Sequence, residues 1–184
     1  MVLVDTTVNK PKKVAVSQIS SNNYAGGAAA LRAIKNAGVS SGKVMGIGVR
    51  PGISTTDARD AGFKDAVAKD SNFEFIGQEY SQNEPAIAAQ ITTAAIAANP
   101  DLKAIFASNL FSAQGAATGI KQAGKEGEII VIGFDAGPDQ IKALKDGTVQ
   151  ALIAQKPYNI GTQGVTQALR AIKGKKNKLS LIHI

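Results

Sequence analysis

Residues 128–138, E-I-I-V-I-G-F-D-A-G-P, constrain the fold more than any other stretch of the chain. The apolar run is rich in β-branched side chains, which suits a strand buried on both faces of a parallel sheet. Gly133 and Phe134 close the strand, and Asp135 stands at its carboxyl end. Gly137 and Pro138 then open a helix, with proline in the first turn, where its missing N–H costs nothing. In open α/β sheets, ligands bind outside that edge. No lysine or arginine lies within five residues of Asp135, so its carboxylate is expected to be free for a donor that is not protein.

Around this strand the chain settles into a β-α repeat. Strands are expected over 44–48, 73–79, 104–108, 129–134 and 150–155, with helices over 55–69, 84–98, 111–123 and 138–145. Apolar residues recur at helical spacing, as in Ile87, Ile91, Ala94 and Ala95, or Ala113, Ala117 and Ile120. Units of this length pair in parallel with right-handed crossovers, so the fold class is α/β with a doubly wound parallel sheet. Before this lobe come short strands at 2–5 and 14–20, then a helix over 24–37 capped from S-S-N-N and closed by Gly38. After it comes a helix over 159–173 with Val165, Ala168, Leu169 and Ile172 on one face. These end segments carry apolar faces that the five-strand lobe does not need. The chain is therefore expected to be part of a longer one, with remnants of a second lobe. The last residues, L-S-L-I-H-I, match the translation of a common sequencing-library transposon adapter. They are expected to be a non-native tail joined to no element, which sets aside His183, the only histidine.

Charge narrows the partners. The net charge of +7 looks like a nucleic-acid signal until it is located. Lys10, Lys12, Lys13, Lys173, Lys175, Lys176 and Lys178 account for all of it, leaving 14 basic against 14 acidic residues in the body. Solvated lysines near the chain ends explain the excess, and no nucleic acid is expected. The absence of cysteine excludes thiolate catalysis, cysteine metal sites and disulfides. No apolar run reaches membrane-span length. G-I-G-V-R-P-G at 46–52 follows a strand, but its third glycine falls one position late for a dinucleotide fingerprint, and Pro51 removes an N–H. No paired-acid motif marks a catalytic centre. Neither enzyme activity, cofactor nor metal is expected.

Five polar residues instead share one location. Asp5 ends the first strand, Asn109 follows A-I-F-A-S, Asp135 ends I-I-V-I-G-F, and Gln155 ends A-L-I-A-Q. Arg59 shares a helix face with Phe63, Ala66 and Val67, and no acid stands three or four residues away to pair with it. Capping explains Asn109 alone, a turn explains Gln155, and a snorkelling surface residue explains Arg59. Together, two acids, two amides and one arginine at strand ends suit a neutral polyhydroxylated ligand.

Six blocks in order carry a resemblance: V-L-V-D, S-N-N-Y-A-G-G, G-I-S-T-T-D-A-R-D-A-G-F, A-N-P-D-L-K-A-I-F-A-S-N, V-I-G-F-D-A-G-P and A-L-I-A-Q-K-P-Y-N-I-G. The chain resembles the ribose-type periplasmic sugar-binding proteins of bacterial ABC importers, which have the type I periplasmic binding fold. The resemblance implies residues 1–21 as the end of lobe one and hinge, 22–155 as a complete lobe two, and 156–178 as a return to lobe one, with 179–184 outside it. It places the family's cleft residues on Asp5, Arg59, Asn109, Asp135 and Gln155. It implies a monosaccharide or polyol ligand, a membrane permease as partner, a monomer, and a periplasmic or extracytoplasmic location. It departs at Thr6, where ribose binders commonly have arginine, and at Asn83, where they place a stacking phenylalanine, which leaves the sugar open. The alternative on the same fold is the effector-binding core of a lac-repressor-type transcription factor.

Overall fold

The computed structural model describes residues 1–177 and the backbone of 180–182. The larger sheet has five parallel strands in the order β4-β3-β5-β6-β7. They are β3 (Gly42–Gly48), β4 (Phe73–Tyr80), β5 (Leu102–Ala107), β6 (Ile130–Phe134) and β7 (Ala151–Ile153). The connecting helices are α2 (Ser54–Ala68), α3 (Pro85–Ala98), α4 (Leu110–Gln122) and α5 (Pro138–Lys145), and α1 (Asn23–Asn36) leads into β3.

The apolar run at β6 behaves as its composition requires. Ile130, Ile132 and Phe134 join one core layer with Leu31, Ile34 and Phe63. Ile129 and Val131 join the other, with Ile96, Leu102 and Ile120. A strand with apolar side chains on both faces needs helices on both faces, and α1 with α2, and α3 with α4, supply them. Strand order reverses between β3 and β5, which opens a crevice at their carboxyl ends.

Glycines set how closely the helices cross. A Cβ on Gly62 of α2 would lie 2.0 Å from the Tyr24 carbonyl oxygen of α1, and one on Gly27 of α1 would lie 1.9 Å from the Arg59 carbonyl oxygen. Backbone on both sides cannot yield as a flexible side chain would. Gly62→Ala should therefore destabilise the chain by about 3 kcal/mol through overpacking. An unshifted urea midpoint would show that α1 and α2 slide apart at little cost.

The smaller sheet has three parallel strands in the order β1-β2-β8: β1 (Val2–Val4), β2 (Ser17–Ser21) and β8 (Ser180–Ile182). Helix α6 (Pro157–Ile172) lies on β1 and β2, turning Ile160 towards Ile19 and Val2. The stripe Val165, Leu169 and Ile172 is exposed, Ile172 at 82%. Two expectations are corrected here. The second strand begins at Ser17, because Lys10 is left-handed and Pro11–Lys13 form a 3-10 turn, leaving Val14 and Val16 exposed. Nor is the terminal hexapeptide detached: Ser180–Ile182 pairs in parallel with Ile19–Ser21, filling an edge whose backbone groups would otherwise lack partners. His183 lies outside the described residues.

Candidate functional site

A hollow of about 500 Å³ opens beyond the carboxyl ends of the strands, and Asp5, Arg59, Asn109, Asp135 and Gln155 all line it. Val49, Arg50, Ile53, Thr55, Thr56, Gln82 and Asn83 complete its wall.

The two acids reach it by the same backbone device. Asp5 follows β1 with φ 64°, and Asp135 follows β6 with φ 75°. Each N–H closes onto the neighbouring strand, Asp5 to the Ile19 carbonyl at 2.8 Å and Asp135 to the Ile153 carbonyl at 3.0 Å. Aspartate visits left-handed backbone more readily than most residues, which suits it to such corners.

Arg59 is buried, 4% exposed, which removes the snorkelling alternative. Its Nε donates to Asn23 Oδ1 at 2.8 Å and its Nη1 to the Ser108 carbonyl at 2.9 Å. The guanidinium lies over the Phe134 ring, 3.7 Å from the centroid. Burial pulls its pKa below the usual arginine value, while Asp135, Asp5 and Asp60 oppose that pull. These acids are distant in sequence or point elsewhere, so helical spacing alone did not reveal them.

Asp135 is not as free as its sequence neighbourhood suggests. Gln155 Nε2 donates to its Oδ1 at 2.6 Å, and Ser21 Oγ donates to Gln155 Oε1 at 2.7 Å. Asn109 does cap α4, its Oδ1 accepting from the Ser112 N–H at 3.1 Å, and its Nδ2 also donates to Asn83 Oδ1 at 2.7 Å. Gln82 and Asn83 form a consecutive left-handed pair at φ 54° and 68°. Beneath them, fully buried Ser81 and Ser112 meet at 2.8 Å between hydroxyl oxygens. Sequence reasoning singled out Asn83 only as a missing aromatic. It read Ser21 and Asn23 only as helix-capping side chains, whereas Asn22 is the cap and the other two hold Gln155 and Arg59.

Next to Arg59, Asp60 turns away from the hollow. It is 8% exposed, and neither carboxylate oxygen has a hydrogen-bond partner among the described residues. Burial raises its pKa to about 6. Ser108 is near enough to oppose that rise, yet its hydroxyl completes no hydrogen bond. Gly48 makes room for the side chain, since a Cβ there would come within 2.4 Å of Asp60 Oδ2.

A second cavity of about 400 Å³ lies between α4 and α5 over Ala113, Ile120 and Val149. Two of its amides are already engaged: Gln140 Nε2 donates to the Phe134 carbonyl, and Gln150 Oε1 accepts from the Val131 N–H. Lys121, Glu126 and Asp146 also line this cavity, but the strand-end hollow is the one in which Asp5, Arg59, Asn109, Asp135 and Gln155 meet. Among the described residues, no group of three or more His, Cys, Asp or Glu could hold a metal ion, and no helix is long and apolar enough to cross a membrane.

This fold and this rim of polar groups define a class. A family model described as periplasmic binding protein domain matches residues 1–176, and the chain belongs to that family. The lobe is of the type I periplasmic binding kind. Among curated relatives, the ribose import binding protein RbsB of Salmonella typhimurium strain LT2 is 35% identical over 161 residues, covering 88% of this chain and 54% of the relative. The D-allose-binding periplasmic protein of Escherichia coli strain K12 is 30% identical over 159 residues, covering 86% and 51%. An ABC transporter solute binding protein from Agrobacterium vitis, solved with α-D-tagatopyranose, superposes with a TM-score of 0.90 at 36% identity. That match covers 98% of this chain and 63% of the other. The chain thus spans about half the length of the curated relatives it matches.

Proposed function

We propose that this chain supplies one wall of an interlobe cleft that captures a hydroxyl-rich ligand, a monosaccharide or polyol, for uptake through an ABC importer. The observation that carries the reading is the convergence of Asp5, Arg59, Asn109, Asp135 and Gln155 on one hollow. Carboxylates accept from hydroxyl pairs, the guanidinium donates to hydroxyl or ring oxygens, and the amides do both. Each charge-assisted bond contributes about 1.5–3 kcal/mol. The mechanism is closure of two lobes over the ligand, followed by recognition of the closed form by a membrane permease. Binding and release leave the ligand chemically unchanged, so no catalytic group is required. The reading places the protein, as a monomer without nucleic-acid partners, outside the cytoplasmic membrane. The relatives named above are a ribose import binding protein, a D-allose-binding periplasmic protein and an ABC transporter solute binding protein, which favours transport over a repressor's effector core.

Completed with the first lobe of a ribose-type relative, the chain should gain thermal stability with at least one pentose, hexose or polyol at millimolar concentration. Asp135→Asn should abolish that gain. Asparagine is the better probe than alanine because it tolerates the left-handed backbone at this position. If none of these ligands shifts the melting temperature, the sugar-capture reading fails.

A further inference from the structure

Two buried residues that do not line the hollow join groups that do. Ser21 is the last residue of β2 and 2% exposed, and Asn23 opens α1 and is 7% exposed. Ser21 is engaged at both its carbonyl and its hydroxyl. The carbonyl accepts from Asn23 Nδ2 at 3.2 Å, and Asn23 Oδ1 accepts in turn from Arg59 Nε at 2.8 Å. The hydroxyl donates to Gln155 Oε1 at 2.7 Å, and Gln155 Nε2 donates to Asp135 Oδ1 at 2.6 Å.

All four bonds run in one direction. They start at a guanidinium, which can only donate, and finish at a carboxylate, which can only accept. Each amide between them is therefore fixed in one orientation. Asn23 must turn its oxygen to Arg59, which leaves its nitrogen for the Ser21 carbonyl. Gln155 must turn its nitrogen to Asp135, which leaves its oxygen needing a donor. In this buried corner between β2 and α1, the Ser21 hydroxyl is that donor. Without it, Gln155 Oε1 loses its partner and the amide is held at one end only.

We propose that Ser21 is a positioning residue for ligand capture: it sets the pose of Gln155, and through Gln155 that of Asp135, from an anchor shared with Arg59. The inference rests on the sugar-capture reading and deepens it, because it gives a role to a side chain outside the hollow. A hydroxyl that only packs would act differently. Its removal would loosen the whole corner, Arg59 and Gln155 alike. Removal of a hydroxyl that aims Gln155 frees that amide alone, since the Ser21 carbonyl still holds Asn23 and, through it, Arg59.

The test uses Ser21→Ala, with Ser21→Thr to restore the hydroxyl. In the 184-residue chain, NMR should show the Gln155 side-chain amide exchanging its hydrogens about tenfold faster in the alanine variant, the loss of one hydrogen bond. Exchange at Arg59 Nε should not change, and threonine should slow Gln155 again. D-ribose, D-allose and ribitol are then titrated into the chain completed with the first lobe of a ribose-type relative. Whichever of them binds the parent should bind the alanine variant about tenfold more weakly, and threonine should regain most of that loss. Equal acceleration at Arg59 and Gln155, no acceleration at Gln155, or an unchanged affinity in Ser21→Ala would each overturn the positioning role and leave sugar capture standing. If none of the three probes binds the parent, both readings fall.

Discussion

Arg59→Met should destabilise the chain by about 3–5 kcal/mol, the range for breaking a buried charged network by removing one partner. Methionine keeps the length of the stem but leaves Asn23 Oδ1 and the Ser108 carbonyl without the donors that reach them at 2.8 and 2.9 Å. It also removes the cation over the Phe134 ring and the charge facing Asp5, Asp135 and Asp60. Arg59→Lys should recover only part of the loss, because an ammonium restores the charge but not the planar fork that bonds in two directions while lying on the ring. Urea unfolding of the three proteins measures the ranking. A methionine variant as stable as the parent would show that the acids around this position relax at no cost, and Arg59 could then be read as a ligand group alone.

Asp60→Asn should act in the opposite direction. The carboxylate is buried without hydrogen-bond partners, and burial lifts its pKa from 3.8 to about 6. The folded chain therefore holds the proton more tightly than the unfolded one. Between about pH 4 and pH 6 the folded state binds more protons, so stability from this group is fully present below the lower value and is lost as pH rises through the upper one. Above pH 6 the accumulated penalty is about 3 kcal/mol, from roughly two units at 1.36 kcal/mol each. Asparagine has the same shape and no charge to desolvate. The variant should exceed the parent by about that amount at pH 8 and match it near pH 4, as read from urea midpoints across the range. A difference that does not change with pH would mean that Asp60 is neutral throughout or already solvated.

The sequence made the layered fold legible wherever one physical signal dominated. The β-branched run before Gly133 could only be a strand covered on both faces, and residues 130, 132 and 134 divide from 129 and 131 between the two core layers as that requires. Arg59 was recoverable because Phe63 and Val67 fixed the inward face of α2, and both are buried. What escaped has a common cause. The Gln155–Asp135 bond, the Asn109–Asn83 bond and the Arg59–Asn23 bond join residues 20, 26 and 36 positions apart, where local periodicity carries no information. The left-handed pair at Gln82 and Asn83 lacks the glycine that normally announces such a turn. Asp60 was invisible for another reason: the residue after Arg59 lies on a different part of the helix surface, and no sequence signal places its side chain against Gly48.

The amide of Gln155 has a mechanical consequence. One end accepts from Ser21 on the smaller sheet, and the other donates to Asp135 beside the larger one. A single planar group thus clasps both bodies, and it cannot stretch. When one body swings against the other, either the clasp parts at one end or the carboxylate is dragged along. Under the proposed function, a ligand that engages Asp135 would therefore bear on the relative orientation of the two sheets through three side chains.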